Sequence, residues 1–268
     1  MDLLTSISGG ISWITLNRPE AANALTPGQR DELTALLQAA SADLGVRAVV
    51  ISAAGKHFCT GADLRADRSG GPTLPEGAPD RPAGSVARMV ATGMQRLIAA
   101  VLDCEKPVIA SVGGTAAGVG AHLALACDLV IAAESARFIE VFVRRGIVPD
   151  GGGAYLLPRL TGLHKAKELV FFGDDLGAQE AADLGLVNRV VPAADLEAAT
   201  REWAERLAAG PTVAIGLAKR LLNRSLDTDR ATAFAEEAAA QEIAMSSQDA
   251  QEGVASFVER RPTVFRGW

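Results

Sequence analysis

At 268 residues, 49% of them hydrophobic and 22% charged, the chain is globular and long enough to bury a large core as one domain or two small ones. A net charge of −6 gives no general attraction for nucleic acid or anionic lipid, both of which need clustered Lys and Arg, so no nucleic-acid or membrane partner is expected and any anionic ligand must be held locally. Three cysteines, Cys59, Cys104 and Cys127, form no CxxC pair, and the opening MDLLTSISGG lacks the charged-then-apolar layout of a signal peptide, so a reduced, cytoplasmic chain is expected.

In chain order, residues 11–17 alternate and are rich in β-branched and aromatic side chains, and residues 47–52 (RAVVIS) form a short apolar run; both read as strands. Between them Thr26, Pro27, Gly28 and Gln29 form a capping-box pattern with Pro at the first helical position, followed by Leu33, Leu36, Leu37 and Ala40 on one helical face. Residues 65–85 are crowded with Gly and Pro and read as a long surface loop. A helix is predicted over 94–101, a strand over 108–112, a helix over 118–126 and a strand over 129–132. Alternation of this kind argues a layered α/β fold. Residues 107–127 carry no charge and are long enough to screen as a membrane span, but their glycines and polar residues favour a buried strand, turn and helix. Beyond residue 162 helices dominate, the clearest over 196–207 and stopping at Gly210-Pro211, and only 188–191 reads as a strand.

Two turns carry the chemistry. FCTGADL (58–64) follows the strand at 47–52, and GGTAAGVGAHLALACD (113–128) follows the strand at 108–112 and opens a helix. Small residues leave backbone N–H groups accessible, and a helix N-terminus favours negative charge. Together they suit a two-donor oxyanion hole, each donor being worth about 3 to 4 kcal/mol in the transition state. Tight packing of helix on strand accounts for the same small residues equally well. The stretch GVGAHL lacks the third glycine of a dinucleotide-binding turn, and Glu140 beyond it has no matching motif. His57, His122 and His164 are scattered without acidic or cysteine ligands at metal spacing, so no metal site is expected.

The segments LNRPEAANAL, FCTGADL, KPVIASVGGTAAGVGAHLALACDLVIA, GIVPDGGGAYLLPRLTG, EAADLGLVNRVVP and DAQEGVASFVERRPTVF, in that order along nearly the whole chain, resemble the enoyl-CoA hydratase/isomerase family, the crotonases. The resemblance implies one domain over 1–268, of the ClpP/crotonase type: a spiral of β-β-α repeats over 1–195 and a helical C-terminal region over 196–268 used for assembly as a homotrimer or a dimer of trimers. It also implies a coenzyme A thioester as substrate, with no separate cofactor. The matching oxyanion-hole amides are those of Ala62 and Val119. CoA contacts would come from Ala22, Ala62, Asp63 and Leu64, with Arg18, Lys56 or Arg65 near the phosphates and Arg260 from a neighbouring subunit.

The hydratase pattern places one Glu three residues after the second oxyanion donor and another before the IxP turn; this chain has His122 and Phe142 there. Phe142 has neither donor nor acceptor with which to handle water. Asp150, in VPDGGG, resembles the acid/base of some enoyl-CoA isomerases and ring-opening isomerases, and one base suffices to move a double bond. The expected activity is therefore isomerisation through a thioester enolate, with hydration as the runner-up and a non-catalytic acyl-CoA-binding protein as a third reading. An N-cap for a helix beginning near Gly151 is the structural alternative for Asp150. His122 is expected in the active site with no assigned role, its ordinary pKa suiting proton work near neutrality, against the alternative of a hydrogen-bonded core residue.

Overall fold

A computed structural model describes residues 1–66, 75–80 and 82–268 of the chain. The hairpin β1 (Leu3–Ser8) and β2 (Ile11–Leu16) turns at Gly9-Gly10, and β2 shows the alternation read from its sequence. β1 escapes sequence reasoning because it is an edge strand with only Leu3 buried, which leaves no period to detect. The helix α1 (Pro27–Ala42) starts as expected: Gln29 N–H donates to the Thr26 hydroxyl while the Gln29 side chain accepts from the Thr26 N–H.

From β3 (Ala48–Ala53) onward the chain winds through repeated turns, each giving a strand to one sheet and a short strand to a second. β3 leads to β4 (His57–Cys59). The next turn carries α2 (Ser85–Val90), a π-helical turn over Ala91–Gln95, α3 (Arg96–Leu102), β5 (Val108–Val112), β6 (Thr115–Ala117) and α4 (Val119–Ala126). The third comprises β7 (Leu129–Ala133), β8 (Arg137–Ile139), α5 (Gly153–Thr161) and α6 (Leu163–Phe172). β9 (Asp175–Gly177), α7 (Ala178–Asp183) and β10 (Arg189–Val191) close the core. The larger sheet runs β1-β2-β3-β5-β7-β10, parallel beyond the first hairpin, and the smaller runs β4-β6-β8-β9. This is the spiral that the family resemblance implies.

The central strands of the larger sheet are buried on both faces, which is why 47–52 reads as a continuous apolar run. Val49 and Ile51 pack with Leu33, Leu37, Phe58, Leu97 and Leu123 on one side. Ala48 and Val50 face the other side with Ile109, Ile131, Ala204 and Ala208. That second layer is completed by α8 (Leu196–Ala208), after which α9 (Thr212–Arg224), α10 (Arg230–Met245) and α11 (Gln248–Glu259) form the helical tail. Lys219 fastens α9 to the core, pairing with Asp128 at 2.8 Å and donating to the Val101 and Lys106 carbonyls.

Two expectations and one alternative need correction. The helix predicted over 94–101 begins at Ser85, with Gly93 buried against the Arg30 guanidinium inside its π-helical turn. The described residues of the loop read over 65–85 carry no helix or strand before Ser85, and residues 67–74 and 81 lie outside the described residues. A second strand exists beyond residue 162: β9 is three residues with only Leu176 buried, too short to leave a pattern. Asp150 does not cap α5, whose first residue is Gly153 and whose N-cap is Gly152 in a left-handed conformation. Among the described residues, no helix is long and apolar enough to cross a membrane, and 107–127 divides into β5, β6 and α4.

Candidate active site

β4 and the β6–α4 turn lie side by side, held there by a missing side chain. A Cβ on Gly120 would overlap the Cys59 carbonyl, so only glycine allows the first turn of α4 to meet β4 this closely. The chain after β4 consequently passes directly over the α4 N-terminus: a Cβ on Gly61 would sit 3.6 Å from the Val119 nitrogen. Tight packing thus brings the two backbone turns together.

Both amides implied by the resemblance are positioned here. Ala62 pairs with Leu25 in an isolated parallel bridge, in which Leu25 N–H donates to Gly61 O at 2.8 Å and Asp63 N–H donates to Leu25 O at 2.9 Å. Such a bridge uses the groups on either side of Ala62 and turns its own N–H the opposite way. Val119 is the first residue of α4, so its N–H is one of four with no intrahelical acceptor and sits at the positive end of the helix dipole.

Deeper in, His122 lies one turn into α4 and is fully buried. Its Nε2 is 3.0 Å from Oε2 of Glu140, itself buried just past the end of β8. A carboxylate accepts there, so Nε2 carries the hydrogen. Phe142 stacks on the ring with centroids 5.2 Å apart and planes within 12°. The first helical residue of α5, Gly153, covers the Nε2 edge. The Nδ1 of His122 is buried without a hydrogen-bond partner, turned toward Gly151, and Oδ1 of Asp150 is likewise buried and unpartnered. Burial pushes the Asp150 carboxyl above its usual range, while His122 draws it back down.

The surrounding residues anticipated near a CoA group divide into two kinds. Arg18 is committed within the protein: its guanidinium donates to Ala24 O at 3.0 Å, Gln29 Oε1 at 3.2 Å and Asp63 Oδ2 at 3.1 Å. Asp63 also accepts from the Arg65 N–H, and these bonds hold its carboxyl below the usual range, the Arg65 amide contributing most. The pair therefore braces the Ala62 turn against the 18–25 segment. Ala22 and Asn23 take left-handed backbone conformations, stapled by Asn23 Nδ2 to the Ala54 and His57 carbonyls and by the Thr60 hydroxyl to the Ala22 carbonyl. Leu64, Lys56 and Arg65 are exposed beside this turn, and Arg260 is exposed at the end of α11.

A sequence model described as enoyl-CoA hydratase/isomerase matches residues 6–267. The chain belongs to the enoyl-CoA hydratase/isomerase family. It is 40% identical over 261 residues to a probable enoyl-CoA hydratase of Rhodobacter capsulatus, covering 97% of this chain and 96% of that relative. It is 36% identical over 265 residues to the 1,2-epoxyphenylacetyl-CoA isomerase of Escherichia coli, covering 99% and 98%. The crystal structure of a putative enoyl-CoA hydratase from Streptomyces coelicolor superposes with a TM-score of 0.90 at 37% identity, covering 100% of this chain and 95% of that one. The crotonase fold is therefore that of this chain.

Within this family member the residue that sequence reasoning missed is Glu140. The position matched to the second hydratase carboxylate is Phe142, whereas a carboxylate stands two residues earlier and faces His122. One signal pointed to it: a charged residue inside the apolar run FIEVF is rarely buried without a partner.

Proposed function

We propose that this enzyme is an enoyl-CoA isomerase that shifts a double bond between the β,γ and α,β positions of an acyl-CoA. The observation that carries the reading is the contrast between two buried carboxyls: that of Glu140 is bonded to His122, while that of Asp150 keeps a buried oxygen without a partner and a raised affinity for protons. In this mechanism the thioester oxygen sits between the Ala62 and Val119 amides. Asp150 removes the α-proton, the two amides hold the resulting dienolate, and the same carboxylic acid returns the proton at the γ-carbon. The Ala22, Ala62, Asp63 and Leu64 backbone would line the CoA portion, with Lys56 and Arg65 at its phosphates. Arg18 is better read as a brace for that turn than as a phosphate ligand, since its donors already serve Asp63, Gln29 and Ala24.

Hydration is the second reading, supported by Glu140, a carboxylate close behind His122. The two readings separate when one enzyme sample is assayed for double-bond migration on β,γ-enoyl-CoA thioesters and for water addition to the α,β isomers. Migration should be the faster reaction, and Asp150→Asn should lower it by several orders of magnitude with little change in acyl-CoA affinity. Full migration activity in a folded Asp150→Asn protein would exclude Asp150 as the base.

A further inference from the structure

His122 and Glu140 have no step in the one-base mechanism, yet the fold buries both and bonds them to each other. A carboxylate taken out of water is costly unless a cation compensates it. Among the described residues the hydrogen-bond partner of the Glu140 carboxyl is His122. An imidazolium there balances the charge, and its second N–H, at Nδ1, then needs an acceptor. Nδ1 is turned toward Gly151, the residue after Asp150, whose Oδ1 is an acceptor in want of a donor. Both atoms are buried without a partner, and His122 is near enough to draw the Asp150 carboxyl down.

We propose that Glu140 is a positioning residue: it holds His122 as an imidazolium whose Nδ1–H is directed at the Asp150 carboxylate, and so keeps that group ionised. The inference rests on the reading of Asp150 as the base. Glu140 and His122 neither gain nor lose a proton during the shift; Asp150 alone carries it from the α- to the γ-carbon. Phe142 on the ring face and Gly153 against the Nε2 edge restrict rotation of the imidazole.

Among the described residues of the elements packed around the ring, the other charged side chains are engaged elsewhere. From β4 the Cys59 thiol is buried and pushed up to about 12, hence uncharged. β5, β6 and the rest of α4 carry no titratable side chain. On α3, Arg96 borders a separate surface pocket with Asp103 and Glu105, and on α5 both Tyr155 and Arg159 are bound to Asp227. On β8, Arg137 pairs with Asp175 at the surface.

The test compares pH profiles of kcat/KM for wild type, Glu140→Gln, Glu140→Asp and Asp150→Asn, alongside nitrogen chemical shifts of the histidine rings. His122 is one of only three histidines and is assigned with a His122→Asn variant. Glu140→Gln should move the acid limb upward, so that acid-side turnover falls roughly tenfold while the alkaline plateau stays within about twofold of wild type. Glu140→Asp should keep the wild-type limb. The His122 ring should be doubly protonated at pH 7 in wild type and neutral in Glu140→Gln. A uniform loss at every pH, or a neutral His122 in wild type, overturns the proposal, and the second measurement stands even if Glu140→Gln does not fold. Full activity in Asp150→Asn overturns the base assignment instead, and is told apart because the ring signals still report whether Glu140 holds the charge.

Discussion

Gly153 abuts the imidazole of His122, where a Cβ would overlap both Nε2 and Cε1. The start of α5 and the middle of α4 therefore meet at a glycine, and the ring's bond to Glu140 depends on that gap. Ala is the better helix former by about 1 kcal/mol, so on propensity alone Gly153→Ala would stabilise the protein. The overlap decides the opposite sign. Displacing the ring breaks its buried hydrogen bond to Glu140 and leaves both groups unpartnered, and we expect a net destabilisation of roughly 2 to 4 kcal/mol in urea unfolding. An unchanged or higher midpoint would mean that α5 can slide to make room.

Asp150 should be a site where activity and stability oppose each other. Its folded-state carboxyl binds protons more readily than an unfolded Asp, burial outweighing the pull of His122. A group raised in this way contributes stability below its unfolded pKa and loses it as pH rises through the folded value. Asp150→Asn, uncharged throughout, should thus raise the melting temperature at pH 7 to 8 and lose that advantage near pH 3. Melting curves across this range check the sign, and a lower melting temperature at pH 8 would contradict it.

The Ala62 amide can be deleted with little change in bulk. Ala62→Pro removes the N–H on the side away from Leu25, and we expect kcat to fall by about 10²- to 10³-fold, the usual cost of one oxyanion donor. Because Asp63 N–H and Gly61 O carry the bridge to Leu25, the fold should survive, as judged by circular dichroism. Turnover near wild type in a folded variant would remove the oxyanion role from this turn.

Asp63 should act through that turn without touching the reaction. Its carboxyl is held below the usual range by the Arg65 amide and by Arg18, so its support is present above the unfolded pKa and is lost as pH falls. Asp63→Ala frees the brace between the turn and the 18–25 segment. We expect KM for the acyl-CoA to rise several-fold, with a smaller change in kcat. Steady-state kinetics separate the two constants, and an unaltered KM would assign the Arg18–Asp63 pair to stability alone.

The tail should assemble. Phe257 is 85% and Val258 73% exposed on α11, and Phe234 is 62% exposed on α10. Large apolar side chains left this exposed are a reason to expect association. Light scattering at micromolar protein should give a trimer or hexamer mass, and Phe257→Asp should lower it. A monomeric wild type would refute this.

Much of the architecture was legible in the residues because local patterns follow local physics. The Thr26–Gln29 capping box, the alternation in β2 and the two-sided apolar run of β3 each depend on neighbours in sequence, and each element formed where its pattern stood. The short strands β4, β6, β8 and β9 were not legible. At three residues each, they exist because β3, β5 and β7 deliver the chain to a second sheet, a long-range effect with no local period.

The sequence by itself determined the α/β class, the family, the two small-residue turns and the presence of an Asp in the VPDGGG loop. Tertiary structure alone decided what the buried polar groups do. Glu140 stands in the apolar run FIEVF and Asp150 in the Gly-rich loop VPDGGG, but neither context names the partner of the carboxylate. Glu140 becomes a partner for His122 only because β8 delivers it beside α4, and Asp150 keeps an unpartnered oxygen only because α5 starts three residues later, at Gly153. Charge state and hydrogen bonding in a water-poor interior are set by which groups approach within a few ångströms, and that proximity is created by the folded chain as a whole.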